Sequence, residues 1–448
     1  MTKTLNDLTQ DILAAAKRAG ADSADAIAVD GTSINIEVRG GELEQAEWSE
    51  GVDIGLRVFV GNRQACISSS DTRPEALDMI AERAVAMATV APEDPYAGLA
   101  DPDQLATDID SRRLELFDPS EEPTPESLQD DAFRAEAAAL AVNGVEQVIS
   151  ASAGYGHRRV HFAATNGFSA GYERTDRGIS VGALAGSGSG MERDYDFDGR
   201  IFQSDMRSAE DIGRTAGERA VEKLSPRRPK TGAYPILLDE RISSSLIAHL
   251  LSAINGAAIA RGSSWARDLK GKQIMPSGLS LIENPHRPRA AGSRLFDAEG
   301  LPTREQAIVE NGILNDWILD LATARKLGLT SNAHAARGTS APPSPSATNM
   351  ALTQGEKSRA DLIRDMGTGL LVTGFIGSTI NPNTGDYSRG ASGFWVENGE
   401  ITHPVNEVTI AGNLIDILMN ITPANDARAH LSRVVPSLLV EGLTLAGD

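Results

Sequence analysis

The chain has 448 residues, 41% hydrophobic and 23% charged, with a formal net charge of −20 and a pI of about 4.8. At about 150 residues per domain that length suggests roughly three units, each large enough for a buried core. The acidity disfavours nucleic acid and membrane surfaces as direct partners, and leaves solubility or an interface with a more basic protein as its explanation.

The first residues carry charges throughout and no apolar h-region, so no signal peptide is read there. Leu5, Leu8, Ile12 and Leu13 share one helical face and Gly20 follows as a stop. Ile34, Ile36 and Val38 then alternate as a strand and reach Gly40-Gly41. Val52, Ile54, Leu56 and Val58 alternate again up to a turn at Gly61-Asn62. Pro74 to Val90 reads as a helix with proline in its first turn. Cys66 is the only cysteine. It can form no internal disulfide, no base stands near it, and a small buried strand residue is expected. The stretch from Pro92 to Pro125 is rich in Pro, Asp and Glu and suits an exposed connection.

The second segment repeats the theme. A helix over Pro125 to Val142 precedes strands over Val160 to Tyr172, turning at Asn166-Gly167, with more strand at Ile179 to Leu184. Gly186 to Gly190 lacks the lysine of a phosphate loop and reads as a flexible connection. Ser208 opens a helix, with Asp211 three residues on. Ser225 to Pro235 is a second Pro-rich connection. The third segment opens with the apolar run YPILLD. It contains two Asn-Gly turns, Asn311-Gly312 and Asn398-Gly399, of the kind type I′ hairpins require. Thr339 to Asn349 is a long irregular loop. The expected fold is α+β. A first α+β subdomain spans 1–92, a linker 93–124, a second α+β subdomain 125–224 and a linker 225–235. A larger, mainly antiparallel β domain with peripheral helices follows over 236–448. No run approaches 18 uncharged apolar residues, and a cytoplasmic location is expected.

Candidate chemistry is sparse. Ser243 to Ala260 reads as a helix holding one histidine, His249, among Leu246, Ile247, Leu250, Leu251 and Ile254. Catalytic zinc usually needs three protein ligands, so a histidine bonded locally in an apolar helix is expected. Ser243 to Ser245 suits a helix cap better than a nucleophile. His157 and His161 lie on an expected strand, where four residues span about 13 Å. His286, His334, His403 and His430 are scattered, and no G-x-S-x-G elbow marks a nucleophile. The segment GDYSRG, Gly385 to Gly390, is the most concentrated polar motif. It either binds a peptide carboxylate or backbone through Arg389, or is tied internally by an Asp386–Arg389 pair. Asp386, Tyr387, Ser388, Arg389, His334 and His403 are the candidate residues for a peptide or partner cleft. No catalytic residue and no metal ligand is assigned.

The stretch GTGLLVTGFIGSTINPNTGDYSRGASGFWVENGEITHPVNEVTIAGNL, Gly367 to Leu414, resembles the PmbA (TldE) branch of the TldD/PmbA family. ARKLGL (Ala324 to Leu329) and LKGKQIMP (Leu269 to Pro276) resemble it too. The resemblance implies a cytosolic heteromeric peptidase. In that family a TldD-type subunit carries zinc on His-Glu-x-x-x-His and a later cysteine. The PmbA-type subunit lacks both and helps form a cleft for unfolded peptides, with roles in peptide maturation, antitoxin degradation and, in older descriptions, modulation of DNA gyrase. The zinc motif does not carry over: His249 stands at the first ligand, Leu250 at the glutamate, Ile254 at the second histidine, and no cysteine follows Cys66. The implied role is a zinc-less subunit that holds no cofactor and pairs with a TldD-type zinc peptidase subunit on unfolded peptides. The alternatives are a gyrase modulator acting by protein binding alone and an autonomous hydrolase with a non-metal site.

Overall fold

A computed structural model describes residues 3–448. In the N-terminal half, α1 (Leu5–Arg18) leads into β1 (Ser23–Arg39), β2 (Glu42–Val60), β3 (Arg63–Ser69) and α2 (Pro74–Val90). The theme returns with α3 (Pro125–Leu140), β4 (Val145–Ala164), β5 (Ser169–Ala185), β6 (Glu192–Arg200) and α4 (Ala209–Glu222). Helix α1 starts where Thr4 and Asp7 cap each other, the Thr4 hydroxyl accepting from Asp7 N at 3.1 Å and the Asp7 carboxylate accepting from Thr4 N at 3.0 Å.

The two halves of this region share one six-stranded antiparallel sheet, ordered β3-β2-β1-β4-β5-β6. The seam is the β1–β4 pair, where Ile36 lies opposite Ala153. One face is covered by helices. Ile12, Leu77 and Ala81 pack with Ile54, Leu56 and Val58 at one end, and Leu128 and Ile212 with Ile36 and Val38 at the other. Helices α3 and α4 touch at Gly213, where a Cβ would stand 1.9 Å from the Ala135 carbonyl oxygen, so only glycine fits.

Residues 93–124 are largely exposed, as their composition suggests, but they are pinned to the molecule at a few buried points. Leu114 and Leu116 are buried with Phe162, Phe168 and Phe296 over the helix-free face. Proline and acidic residues there preclude a ladder of regular hydrogen bonds; they do not prevent packing.

The C-terminal half begins with β7 (Gly232–Leu238), α5 (Glu240–Ala253) and α6 (Gly256–Arg261). Short elements follow: β8 (Leu281–Glu283), β9 (Gln306–Glu310), β10 (Ile313–Leu314), α7 (Leu321–Leu327), β11 (Ala335–Ala336), β12 (Ser344–Pro345), β13 (Met350–Leu352) and α8 (Arg359–Met366). The chain then forms β14 (Gly369–Ile380), β15 (Asp386–Glu397), β16 (Glu400–Asn413), α9 (Leu414–Met419), β17 (Ile421–Pro423), β18 (Arg433–Val434) and β19 (Leu438–Ala446). The larger sheet runs β16-β15-β14-β7-β19-β17, and β16 also pairs with β19, so five strands close into a ring. Strand β7 is apolar throughout because both its faces are covered: Ile236 and Leu238 face the core containing α5, and Leu237 packs with Leu362 and Met366 of α8.

Both Asn-Gly turns have positive φ at each central residue, 49° and 83° at Asn311-Gly312 and 54° and 78° at Asn398-Gly399, as type I′ requires. The helix read over Ser243 to Ala260 is corrected: it is two helices, broken at Ile254-Asn255, with the Asn255 side chain capping α6 by accepting from Ala257 N at 3.0 Å. The serine run is not the cap of α5 either. Asp239 accepts from Arg241 N at 3.1 Å, while Ser243 is buried one turn further on. Among the described residues no helix is long and apolar enough to cross a membrane.

Candidate functional site

The motif GDYSRG is not a free loop. Its core opens β15, and strand alternation sends its side chains to two faces. Tyr387 is buried, its ring packed edge-on to that of His249 with centroids 5.9 Å apart. Two residues on, the Arg389 guanidinium lies 4.0 Å over the Phe375 ring and its Nε donates to the Gly377 carbonyl at 3.0 Å. Asp386 accepts from Thr384 Oγ1 at 2.6 Å and from Asn413 Nδ2 at 3.2 Å. The Asp386–Arg389 tie is therefore not made. Ser388 is half-buried, in register with Thr379 and Ala411.

Burial pushes the Tyr387 phenol up to about 12, with Arg389 opposing the shift. Burial, and then the Arg389 charge, push His249 below the ordinary histidine range. Its Nε2 is buried without a hydrogen-bond partner. The expected local hydrogen bond of His249 is absent at that atom.

Arg389 opens onto a groove of about 930 Å³ between the two halves of the molecule. One wall is the end of β6 with the neighbouring helix-free face of β5. The other is α5 with β14 and β15. Thr373 sits in this second wall as the extra residue of a β-bulge, between the pairs Val372–Gly393 and Gly374–Ser392. It is 6% exposed and its hydroxyl has no partner. Below the groove, Asp194 holds Lys223 at 3.0 Å and Arg241 at 3.1 Å, tying β6 and α4 to α5.

The remaining candidates disperse. His403 lines an adjoining pocket of about 480 Å³, with its Nδ1 2.9 Å from Thr402 Oγ1. There Arg219, Arg241 and Arg359 face Glu222, Asp239 and Glu240, so charge is balanced. His334 is in no cleft, a correction to its expected place. It is buried, with Nε2 2.5 Å from Glu283 Oε2 and Nδ1 2.7 Å from Asn332 Oδ1. Asn332 Oδ1 also accepts from Leu319 N, and Gln306 Nε2 lies 3.2 Å from His334 Nε2. Glu283 also accepts from Thr348 N at 2.6 Å and Thr348 Oγ1 at 2.7 Å. Burial alone would raise its pKa, yet the His334 and Thr348 contacts hold it down at about 2. This pair anchors the irregular loop before β13.

The donor set beside Tyr387 does not fit zinc. Leu250 and Ile254, at the positions of the glutamate and second histidine, are fully buried core residues. Among the described residues no three His, Cys, Asp or Glu side chains converge on a metal-sized site. The Arg389 cation beside the imidazole would also repel a divalent ion. Sequence reasoning missed Arg193, Arg433 and Thr373, which line the same groove. The one available signal was the alternation in ERDYDFDGR, which is β6.

Family models of the PmbA/TldA metallopeptidases match this chain in three consecutive parts: domain 1 over residues 24–88, the central domain over 118–224 and the C-terminal domain over 231–447. The chain is 36% identical over 423 residues to a protein of Escherichia coli O157:H7 named Metalloprotease PmbA, covering 93% of this chain and 90% of that one. A crystal structure from Bacteroides thetaiotaomicron, described as a candidate modulator of DNA gyrase, superposes with a TM-score of 0.91 at 27% identity over 98% of both chains. TldE from Thermococcus kodakarensis shares the fold, with a TM-score of 0.85 at 19% identity over 98% of this chain and 99% of that one.

Proposed function

This chain belongs to the PmbA/TldD metallopeptidase family, and on that premise we propose that it is a zinc-less subunit of a two-component peptidase. Its partner is a TldD-type subunit that carries the zinc on His-Glu-x-x-x-His, and their joint substrate is unfolded peptide. One observation carries the reading: the helix position that would start a zinc site holds a lone imidazole beside a fixed guanidinium, with aliphatic core residues where the other groups would be. One imidazole cannot hold and ionise a metal-bound water. The groove at Arg389 supplies an extended surface instead. Strand β6 pairs on one side only, with β5, and main-chain groups at such an edge can take up an extended peptide as an added strand.

The test is reconstitution. The purified chain alone should hold no stoichiometric zinc and hydrolyse no unfolded peptide. Mixed with a TldD-type subunit, it should yield chelator-sensitive hydrolysis. One zinc per isolated chain, or hydrolysis by the chain alone in the presence of chelator, would overturn the proposal. Binding to gyrase subunits with no peptidase activity in the mixture would favour the modulator reading.

A further inference from the structure

The groove has a charge opposite to that of the protein. Arg193, Lys223, Arg241, Arg389 and Arg433 line it, against only Glu192 and Asp194, in a chain whose formal net charge is −20. Lys223 and Arg241 are committed to Asp194, and Glu192 accepts from Asn406 Nδ2 at 3.1 Å. No described carboxylate lies in ion-pair range of Arg193, Arg389 or Arg433, whereas every arginine of the adjoining balanced pocket has one. Three guanidiniums without a carboxylate partner, from three separate strands, β6, β15 and β18, thus line one groove, Arg389 being held in place by Gly377 and Phe375. The buried, partnerless Thr373 hydroxyl lies in the same wall. An unsatisfied hydroxyl in a buried strand costs stability unless a ligand or water completes it. Guanidinium forks match carboxylates in bidentate geometry.

We propose that this groove selects extended peptide segments bearing carboxylates, which Arg193, Arg389 and Arg433 receive along its length. The proposal rests on the reading of the groove as a peptide-binding surface in the two-component peptidase. The carboxylates come either from Asp and Glu side chains or from a peptide C-terminus, and both share the same recognition chemistry.

The experiment measures fluorescence anisotropy of labelled eight-residue peptides with the full-length chain, alone and in complex with a TldD-type subunit. The peptides are Asp/Glu-rich, Ser/Gln-rich or Lys-rich, each with a free or an amidated C-terminus. The acidic peptide should bind at least tenfold more tightly than the neutral one, with the margin shrinking as salt rises because two of the arginines are exposed. The double variant Arg193→Gln/Arg433→Gln should lose that margin, while Arg83→Gln, on the surface of α2, keeps it. Retention of the margin by the amidated acidic peptide assigns the carboxylates to side chains; its loss on amidation assigns them to the terminus. Equal binding of acidic and neutral peptides would overturn the selectivity and leave the peptide-binding reading standing. Absence of all peptide binding, in a complex that still hydrolyses peptide, would overturn both statements about the groove but not the pairing with a zinc subunit.

Discussion

His334 and His249 both belong to the C-terminal half, yet their surroundings differ in every polar respect. His334 has a hydrogen-bond partner at each ring nitrogen, Asn332 at Nδ1 and Glu283 at Nε2, and Glu283 is itself saturated by Thr348 and Gln306. His249 has a free Nε2, a buried phenol against its ring and a guanidinium nearby. The first network has no valence to spare and holds a loop in place. The second is under-satisfied and borders a groove. Residue type alone makes both histidines candidate ligands; hydrogen-bond accounting separates the anchor from the site.

The contrast breaks most visibly at His334. Replacing it with alanine strands a buried carboxylate, so His334→Ala should lose about 3–5 kcal/mol of unfolding free energy, measured by urea titration at pH 7. A loss below about 1 kcal/mol would erase the distinction between the two histidines.

Next comes pH. Glu283 titrates at about 2 when folded, against an ordinary 4.5. Its stabilisation is therefore complete above pH 4.5 and is lost as pH falls through 2. At about 1.4 kcal/mol per pH unit the difference is about 3 kcal/mol. Glu283→Gln should be less stable than the parent by about that amount at neutral pH, and the two curves should converge in acid. A gap independent of pH would mean that the charge of Glu283 is not what matters.

A smaller loss is expected from Asn332→Ala, which removes the acceptor of both His334 Nδ1 and Leu319 N; we expect about 1–3 kcal/mol by thermal or urea unfolding. The smallest effects belong to the under-satisfied side. His249→Leu and Thr373→Val each delete a partnerless polar atom and should change stability by less than about 1 kcal/mol in either direction. A large destabilisation at either position would show that an unseen partner satisfies it.

Local chemistry made much of the fold readable. The Asn-Gly turns, the cap at Ser208 accepting from Asp211 N at 3.1 Å, and the buried run in β7 all follow from neighbouring residues. The α+β class and the family resemblance were equally legible. What was hidden depends on distance along the chain. The β1–β4 seam joins residues more than a hundred positions apart, and no periodicity within either strand names its neighbour. Strand β6 escaped notice because its inward residues are Asp194, Asp196 and Asp198, buried only because Lys223, Arg207, Arg219 and Arg200 meet them. An acidic alternation reads as solvent-facing until its counter-charges are located. The groove was hidden for the same reason, since its arginines come from separate strands. For GDYSRG, glycine at both ends suggested a loop where backbone pairing with β14 and β16 makes a strand.

Closure of the C-terminal ring has a consequence for biogenesis. Strand β7 emerges first in its half, while β19, which pairs along it and also with β16, emerges only after β8 to β18. Until then the nascent polypeptide presents Ile236, Leu237 and Leu238 without the neighbour that covers them, a sticky segment during translation.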